Sequence, residues 1–358
     1  MKRKNVVITA TAGAAAGVLG LTALSLPADA GPAPALPPVA PEQLVQSVMT
    51  AAPSALSGTV EVDNSLGLPP LPDTGQASSL LSDGTSQFQV WTDGHGRERM
   101  SIPSKGGEMT VVNDGSTVWQ WDSTTHTVTE SHRNEANRKQ PSPEAQHKTP
   151  PDPATASRNI VDKLRQNSNV TVDGTASVAG RDAYELVLTP KPNERTLLRE
   201  VRIAVDAQKR VPLQVEVDTN GSSDPALKVG FSQLDLSNPN PSLFQFTPPP
   251  GAKVQQQQPE QRKPQQQPTE HKVVGSGWDS VLETRLPQQQ PSPAKKPGGK
   301  QPTDLRALAS RIGKPVSGPW GNGWIISTRA VTALVTSDGR LAVGAVPEQV
   351  LTSAIGQA

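Results

Sequence analysis

The chain has no cysteine anywhere in its 358 residues. That absence excludes a disulfide framework, a cysteine-ligated zinc site, a thiol nucleophile and a lipid-modified cysteine after a leader. Stability must therefore come from a packed core, yet hydrophobic residues are only 34% of the chain and 36 residues are proline, so part of it is not packed. Aromatic residues are also few: six Trp, one Tyr and four Phe. Neither sign of charge dominates. The net is +1 with Lys and Arg spread along the sequence, which leaves no electrostatic footprint for nucleic acid.

Catalytic constellations are missing too. The five histidines, His95, His126, His132, His147 and His271, fall in turns, strand ends or linker and share no metal-binding spacing. No Gly-x-Ser-x-Gly elbow occurs, and Ser292-Pro293-Ala294-Lys295 lies in a Pro/Gln-rich stretch with no rigid element to aim a nucleophile. Gly318-Pro319-Trp320-Gly321-Asn322-Gly323-Trp324 precedes a strand rather than a helix, so it offers phosphates no helix N-terminus and reads as a tight turn between packing tryptophans. Asp206 and Asp218 read as solvated residues at strand ends. An enzyme is not expected, and no cofactor or metal is implied.

What is present begins with Lys2, Arg3 and Lys4, an uncharged run from Val6 to Leu26, and Ala28-Asp29-Ala30. These are the n-region, h-region and small-x-small site of a secretory signal peptide over residues 1–30. Removal or retention as an anchor stays open, but in both cases the basic end holds the N-terminus inside and the remainder lies outside the cytoplasm. Residues 31–40 are Pro/Ala-rich and read as an extended tether that buries nothing.

Helical spacing of Leu44, Val45 and Val48 after Pro41 predicts a short helix. Six strands follow by period-two alternation: Leu56–Val62, Ser86–Trp91, Arg97–Ile102, Glu108–Val112, Thr117–Trp121 and Thr127–Ser131. Asp93-Gly94, Gly106-Gly107 and Asp114-Gly115 supply their hairpin turns. Leu66–Ser82, with Pro69, Pro70 and Pro72, reads as a lid loop. After a polar stretch from His132 to Pro153, a helix over Ala154–Gln166 introduces a second series: Val170–Val172, Ala176–Ala179, Ala183–Leu188, Leu198–Val205, Leu213–Asp218, Lys228–Asp235 and Phe244–Phe246. Residues 249–302 read as a Pro/Gln-rich linker carrying a short ordered patch at 271–286. A final module over 303–358 comprises a helix at Asp304–Ile312 capped by Thr303, a hairpin of Trp324–Val335 with Arg340–Val346, and a helix at Pro347–Ile355. It is too small to stand alone and is expected to dock.

The order of these parts resembles the LolA-like superfamily of extracytoplasmic lipoprotein carriers and the related MucB/RseB-type envelope-stress regulators, particularly their actinobacterial-looking members. The resemblance runs through Arg97, Asp114-Gly115, Trp119, Asp122, Gly180, Tyr184, Leu186, Pro190, Asp206 and Pro212, over about two hundred residues. It implies an α+β fold over residues 41–248: a curved antiparallel sheet forming an unclosed half-barrel, with helices plugging it over an apolar cavity, plus the small C-terminal hairpin-helix module.

The implied function is a carrier or sensor holding lipid acyl chains or lipoproteins. The alternatives are a regulator that binds a membrane anti-sigma factor and a cell-wall-associated interaction protein. Such a protein is expected to be monomeric and peripheral to the membrane. One inward set is the candidate cavity lining: Phe88, Val90, Met100, Ile102, Met109, Val111, Trp119, Trp121, Tyr184, Leu186, Ile203, Val215 and Phe231.

Overall fold

A computed structural model describes residues 34–51, 54–67, 83–104, 106–132, 152–256, 272–286 and 305–356. The expected signal peptide, most of the lid loop, the stretch 133–151, the longest Pro/Gln runs and the Thr303 cap lie outside the described residues.

Pro41 opens helix α1 (Pro41–Thr50), where its missing N–H costs nothing and Glu42 sits in the positive first turn; Leu44, Val45 and Val48 form its buried face. Helix α2 (Pro153–Leu164) is capped by Asp152, whose carboxylate accepts from the N–H groups of Ala154 (2.9 Å) and Thr155 (3.1 Å).

Two antiparallel meanders build the large sheet. The first is β1 (Leu56–Asn64), β2 (Gly84–Thr92), β3 (Glu98–Ser104), β4 (Gly107–Asn113), β5 (Thr117–Asp122) and β6 (Thr127–His132). The second is β7 (Ser168–Val178), β8 (Arg181–Pro190), β9 (Leu198–Asp206), β10 (Pro212–Thr219) and β11 (Leu227–Asp235). They join where β1 pairs with β11, and β12 (Lys253–Gln256) adds in parallel beside β6. The order of the twelve strands is β12-β6-β5-β4-β3-β2-β1-β11-β10-β9-β8-β7, so the sheet does not close on itself.

It is nevertheless strongly coiled. In a flat sheet four strand spacings of ~4.8 Å would separate β7 from β11 by about 19 Å, yet the two have Cα atoms within 8 Å of each other. Irregularities at Thr59/Val60, Pro212/Gln214 and Val172/Thr175 supply the bends.

A second, six-stranded sheet has the order β13 (Lys272–Val274), β14 (Val281–Arg285), β18 (Arg340–Gly344), β17 (Thr332–Thr336), β16 (Gly321–Ser327) and β15 (Lys314–Gly318). Helix α3 (Leu305–Ile312) packs on β16 and β17, and α4 (Glu348–Ile355) on β14, β17 and β18. Leu334, Leu351 and Ile355 are at the centre of its core.

Several sequence expectations are corrected here. The segment from Pro34 to Ala40 is no free spacer: Leu36 and Val39 pack on the main core, and the carbonyls of Pro34 and Pro37 accept from Thr175 Oγ1 (2.8 Å) and Tyr184 Oη (2.9 Å). An extended proline-rich chain makes no internal hydrogen bonds, so its carbonyls are free for neighbours. Lys253–Gln256, assigned to the linker, is a strand paired with β6, and the ordered patch expected at 271–286 consists of β13 and β14 joined through a 3-10 turn at Gly277–Asp279; Glu283, for instance, pairs with Ala342.

Val170–Val172 and Ala176–Ala179 form one bent strand, β7, and Trp324–Val335 is two strands with a turn between them. Phe244–Phe246 is not a strand: Pro241–Phe244 is a 3-10 turn. The helix expected to reach Gln166 ends at Leu164 and tightens into a 3-10 turn over Arg165–Asn167.

Candidate functional site

Residues directly opposite in an antiparallel ladder share a face, so the register sorts the candidate lining. Leu186 faces Ile203, Ile203 faces Val215, Val215 faces Val229, and Val229 faces Val62. Phe231 faces Val60, which faces Phe88; Val90 faces Met100, which faces Val111; Ile102 faces Met109. Tyr184 joins the same face through Val205. One unbroken apolar face therefore runs from β8 across to β4.

Trp119 and Trp121 are not on it. They stand opposite Val112 and Thr110, whose side chains alternate with those of Met109 and Val111, so both tryptophans belong to the other face. There the Trp119 ring lies 5.6 Å from Phe246, its Nε1 donates to Asp114 Oδ2, and Trp121 meets His126 edge-on. Arg97 stacks over Phe244 and Arg99 donates to the Leu243 carbonyl, so the segment after β11 is strapped across that side. Sequence alternation shows that a strand has two faces but not which face the next strand shares, because a turn of one residue more or fewer exchanges them.

The shared face divides into two regions. Over β8–β10, Tyr184, Leu186, Ile203 and Val215 make one core with Leu44, Val45 and Val48 of α1 and Val161 of α2. The same core takes Trp278 from the turn between β13 and β14; this side chain is 2% exposed and its indole N–H donates to Ser168 Oγ at 2.9 Å. This half is filled by the protein's own side chains. Phe88, Val90, Ile102 and Met109 of β2–β4 and Phe231 of β11, each at most 5% exposed, belong to a separate cluster that also takes Val178, Ala183, Ala204 and Leu213 from β7–β10, with Met100 and Val111 half-buried at its margin. Among the described residues α1 and α2 make their principal sheet contacts with β7, β8, β10 and β11.

The opposite face of β8–β10 is mixed: Ala183, Val187 and Ala204 are buried on it beside a ladder of charged side chains. Arg202 contacts Glu185 (3.1 Å), Glu200 (3.3 Å) and Asp173 (3.4 Å), and Glu216 contacts Lys228 (3.4 Å). Burial pushes the Glu185 carboxyl up, with Arg202 pulling the other way.

Besides Trp278, polar contacts at three places tie the second module to the first: the Ala345 carbonyl, which accepts from Leu197 N (2.9 Å) and Thr196 Oγ1 (2.7 Å), and the surroundings of Glu194 and Arg329. Glu194 Oε2 accepts from the backbone N–H groups of Trp278 (2.9 Å) and Asp279 (3.2 Å), while Oε1 accepts from Asn167 Nδ2 (2.8 Å). Arg329, in the turn between β16 and β17, donates from Nη1 to the Ser65 carbonyl (3.1 Å) and from Nη2 to the Asp224 carbonyl (3.0 Å) and Ser222 Oγ; its backbone N–H reaches the Leu66 carbonyl (2.9 Å). It thus holds the root of the 66–82 loop, whose span beyond Gly67 is outside the described residues. Neither Glu194 nor Arg329 carried any pattern in the sequence.

At the end of the sheet where β8 begins and β9 ends lies a recess of about 520 Å³, bordered by the Pro37–Val39 segment, Tyr184, Arg181, Asp206 and Arg210. Asp206 is 1% exposed. Its burial acts to raise the carboxyl, but the Arg181 guanidinium at 2.6 Å and the N–H groups of Lys209 and Gln208 outweigh that and hold it below the usual carboxylate range. The sequence reading of Asp206 as a solvated turn residue is thereby corrected: it is the buried pin of the β9–β10 turn. Among the described residues no group of three or more acidic or histidine side chains converges as a metal site. No described helix is long and apolar enough to cross a membrane.

No protein-family model and no curated protein matches this chain. Among solved structures it is similar to MucB in complex with MucA(peri), at 14% identity over 88% of this chain and 97% of that chain, with a TM-score of 0.44. The MucA/MucB complex of Pseudomonas aeruginosa is also 14% identical over 87% and 95%, TM-score 0.44. A LolA superfamily protein from Nitrosomonas europaea is 9% identical over 58% and 99%, TM-score 0.26.

Proposed function

We propose that this protein is an extracytoplasmic, non-catalytic binding protein that shelters an acyl chain against the β1–β4 part of its apolar sheet face. The observation that carries this reading is the unbroken apolar face that continues past the half filled by α1, α2 and Trp278. Tyr184, Leu186, Ile203 and Val215 are then structural core, and the ligand-facing set narrows to Phe88, Val90, Met100, Ile102, Met109, Val111 and Phe231. Two methionines in that set suit a ligand of variable shape, since their unbranched side chains repack at little cost. The driving force is ample: about sixteen methylenes leaving water contribute on the order of 12 kcal/mol gross at ~0.8 kcal/mol each.

The test is mass spectrometry of the full chain extracted under native conditions. Co-purified acyl lipid is expected, and it should disappear in Phe88→Asp and in the milder Met100→Gln but persist in Trp119→Gln on the other face. Lipid-free protein in repeated preparations, or equal loss from the Trp119 variant, overturns the reading.

A second reading, a regulator that binds a membrane anti-sigma factor, draws support from the docking of the C-terminal module through Glu194 and Arg329. A partner surface spanning both modules exists only while they are docked. Capture of such a partner by the wild type and not by Glu194→Ala favours it; equal capture by both removes it.

A further inference from the structure

The recess beside β8 and β9 is bordered by a half-buried cation, Arg210, one of whose nitrogens has no hydrogen-bond partner. Arg210 adopts a left-handed backbone conformation (φ 59°), as does Ala179 (φ 50°) in the neighbouring β7–β8 turn. Residues other than glycine persist there only where surrounding structure enforces it, and such positions cluster at ligand sites. The conformation sets the Arg210 guanidinium over the Tyr184 ring, 5.0 Å from its centre. Tyr184 is itself anchored by its hydroxyl to the Pro37 carbonyl. Arg210 Nη1 is buried and has no hydrogen-bond partner, and among the described residues no carboxylate forms an ion pair with this side chain.

The local acids do not answer it. Asp206 has one oxygen committed to Arg181 and the other to two backbone N–H groups, and Asp182 at the rim is exposed. A half-buried guanidinium with a buried, unbonded nitrogen is an unmet demand for an anion, and its planar fork fits a carboxylate best. Beside it the walls from Leu36, Pro38, Val39 and Ala207 are apolar, and the volume falls within the range of small-ligand sites.

We propose that this recess binds an amphipathic carboxylate, its acid group held by the Arg210 guanidinium and its aliphatic part lying on Leu36, Pro38 and Val39. The site is separate from the β1–β4 face and does not depend on that face binding lipid. The same chemistry is carried by a free fatty acid and by a peptide C-terminus ending in an aliphatic residue.

Isothermal titration calorimetry on the full chain separates these sources and tests the site. The probes are decanoate against methyl decanoate, and N-acetyl-Ala-Leu with a free carboxylate against its amide. At least one acid is expected to bind at least about tenfold more tightly than its neutral counterpart, as loss of a charge-assisted hydrogen bond requires. Preference for decanoate identifies a fatty acid, and preference for the peptide identifies a chain terminus. Arg210→Gln should abolish the preference, Arg210→Lys should retain part of it, and Arg158→Gln on α2 should leave it intact. Ester and amide binding as tightly as the acids, no acid binding at millimolar concentration, or an undiminished preference in Arg210→Gln each overturns the proposal. The acid-versus-neutral comparison needs no variant, so a misfolded Arg210→Gln leaves the test decisive.

Discussion

Replacing Trp278 by alanine should uncouple the two modules. The indole belongs by sequence to the turn between β13 and β14, yet it is buried in the core formed by α1, α2 and β8–β10. Truncating a fully buried Trp costs about 3–5 kcal/mol, which for a domain of this size lowers the melting temperature by roughly 6–20 °C. The hydroxyl of Ser168 loses its donor but keeps its own bond to the Leu164 carbonyl (2.7 Å), so no orphaned polar group adds to the loss. Trp278→Phe retains most of the packing and gives up the indole hydrogen bond, at about 1–2 kcal/mol. Calorimetry and urea titration followed by circular dichroism read both variants. The alanine variant should melt in two steps, because what remains across the junction is polar: Glu194 with the backbone N–H groups at 278 and 279, Arg329 with Ser65, Leu66 and Asp224, and the Ala345 carbonyl with Leu197 N and Thr196 Oγ1. A single transition within about 1 kcal/mol of wild type would falsify the idea that this side chain is the principal bond between modules.

Acid should destabilise the protein in part through Asp206, whose folded pKa lies below its unfolded value near 3.9. A depressed carboxyl contributes stability that is present above the unfolded pKa and lost as pH falls through the folded one. Asp206→Asn should therefore be less stable than wild type at pH 7, with the gap narrowing below about pH 4; a gap independent of pH between 7 and 2 contradicts the assignment. Gly58→Ala should cost about 1–3 kcal/mol by overpacking, although alanine ordinarily suits a strand better. Its Cβ would lie 2.5 Å from the Gln233 carbonyl and 2.9 Å from the Phe231 ring. Urea unfolding of that variant at or above wild-type stability refutes the close approach of β1 and β11.

Much of the scaffold was legible because it is local. Alternation in Tyr184, Leu186 and Leu188 and in Val201, Ile203 and Val205 marks β8 and β9 regardless of what lies beside them. The turn residues Asp93, Asp114 and Asp235 accept from nearby backbone N–H groups two to four positions on, so their roles are written in short range. The candidate lining was legible only in part. Each strand's own alternation identified Phe88 with Val90 and Met109 with Val111 as pairs, but Trp119 and Trp121 alternate just as regularly and face the other way.

Composition and periodicity were enough for the two meanders, the apolar stripe of α1 and the lack of cysteine, since they are properties of neighbours along the chain. Long-range packing settled the rest: that the proline-rich segment before α1 packs on β7 and β8, that Trp278 fills a core more than a hundred residues upstream, and that Arg210 stands half-buried over Tyr184 with one nitrogen unpaired. Those outcomes depend on which distant strands share a ladder and on what space remains when the sheet coils. Contacts of that kind are selected by the packing of the whole chain and leave no period or spacing in the residues that make them.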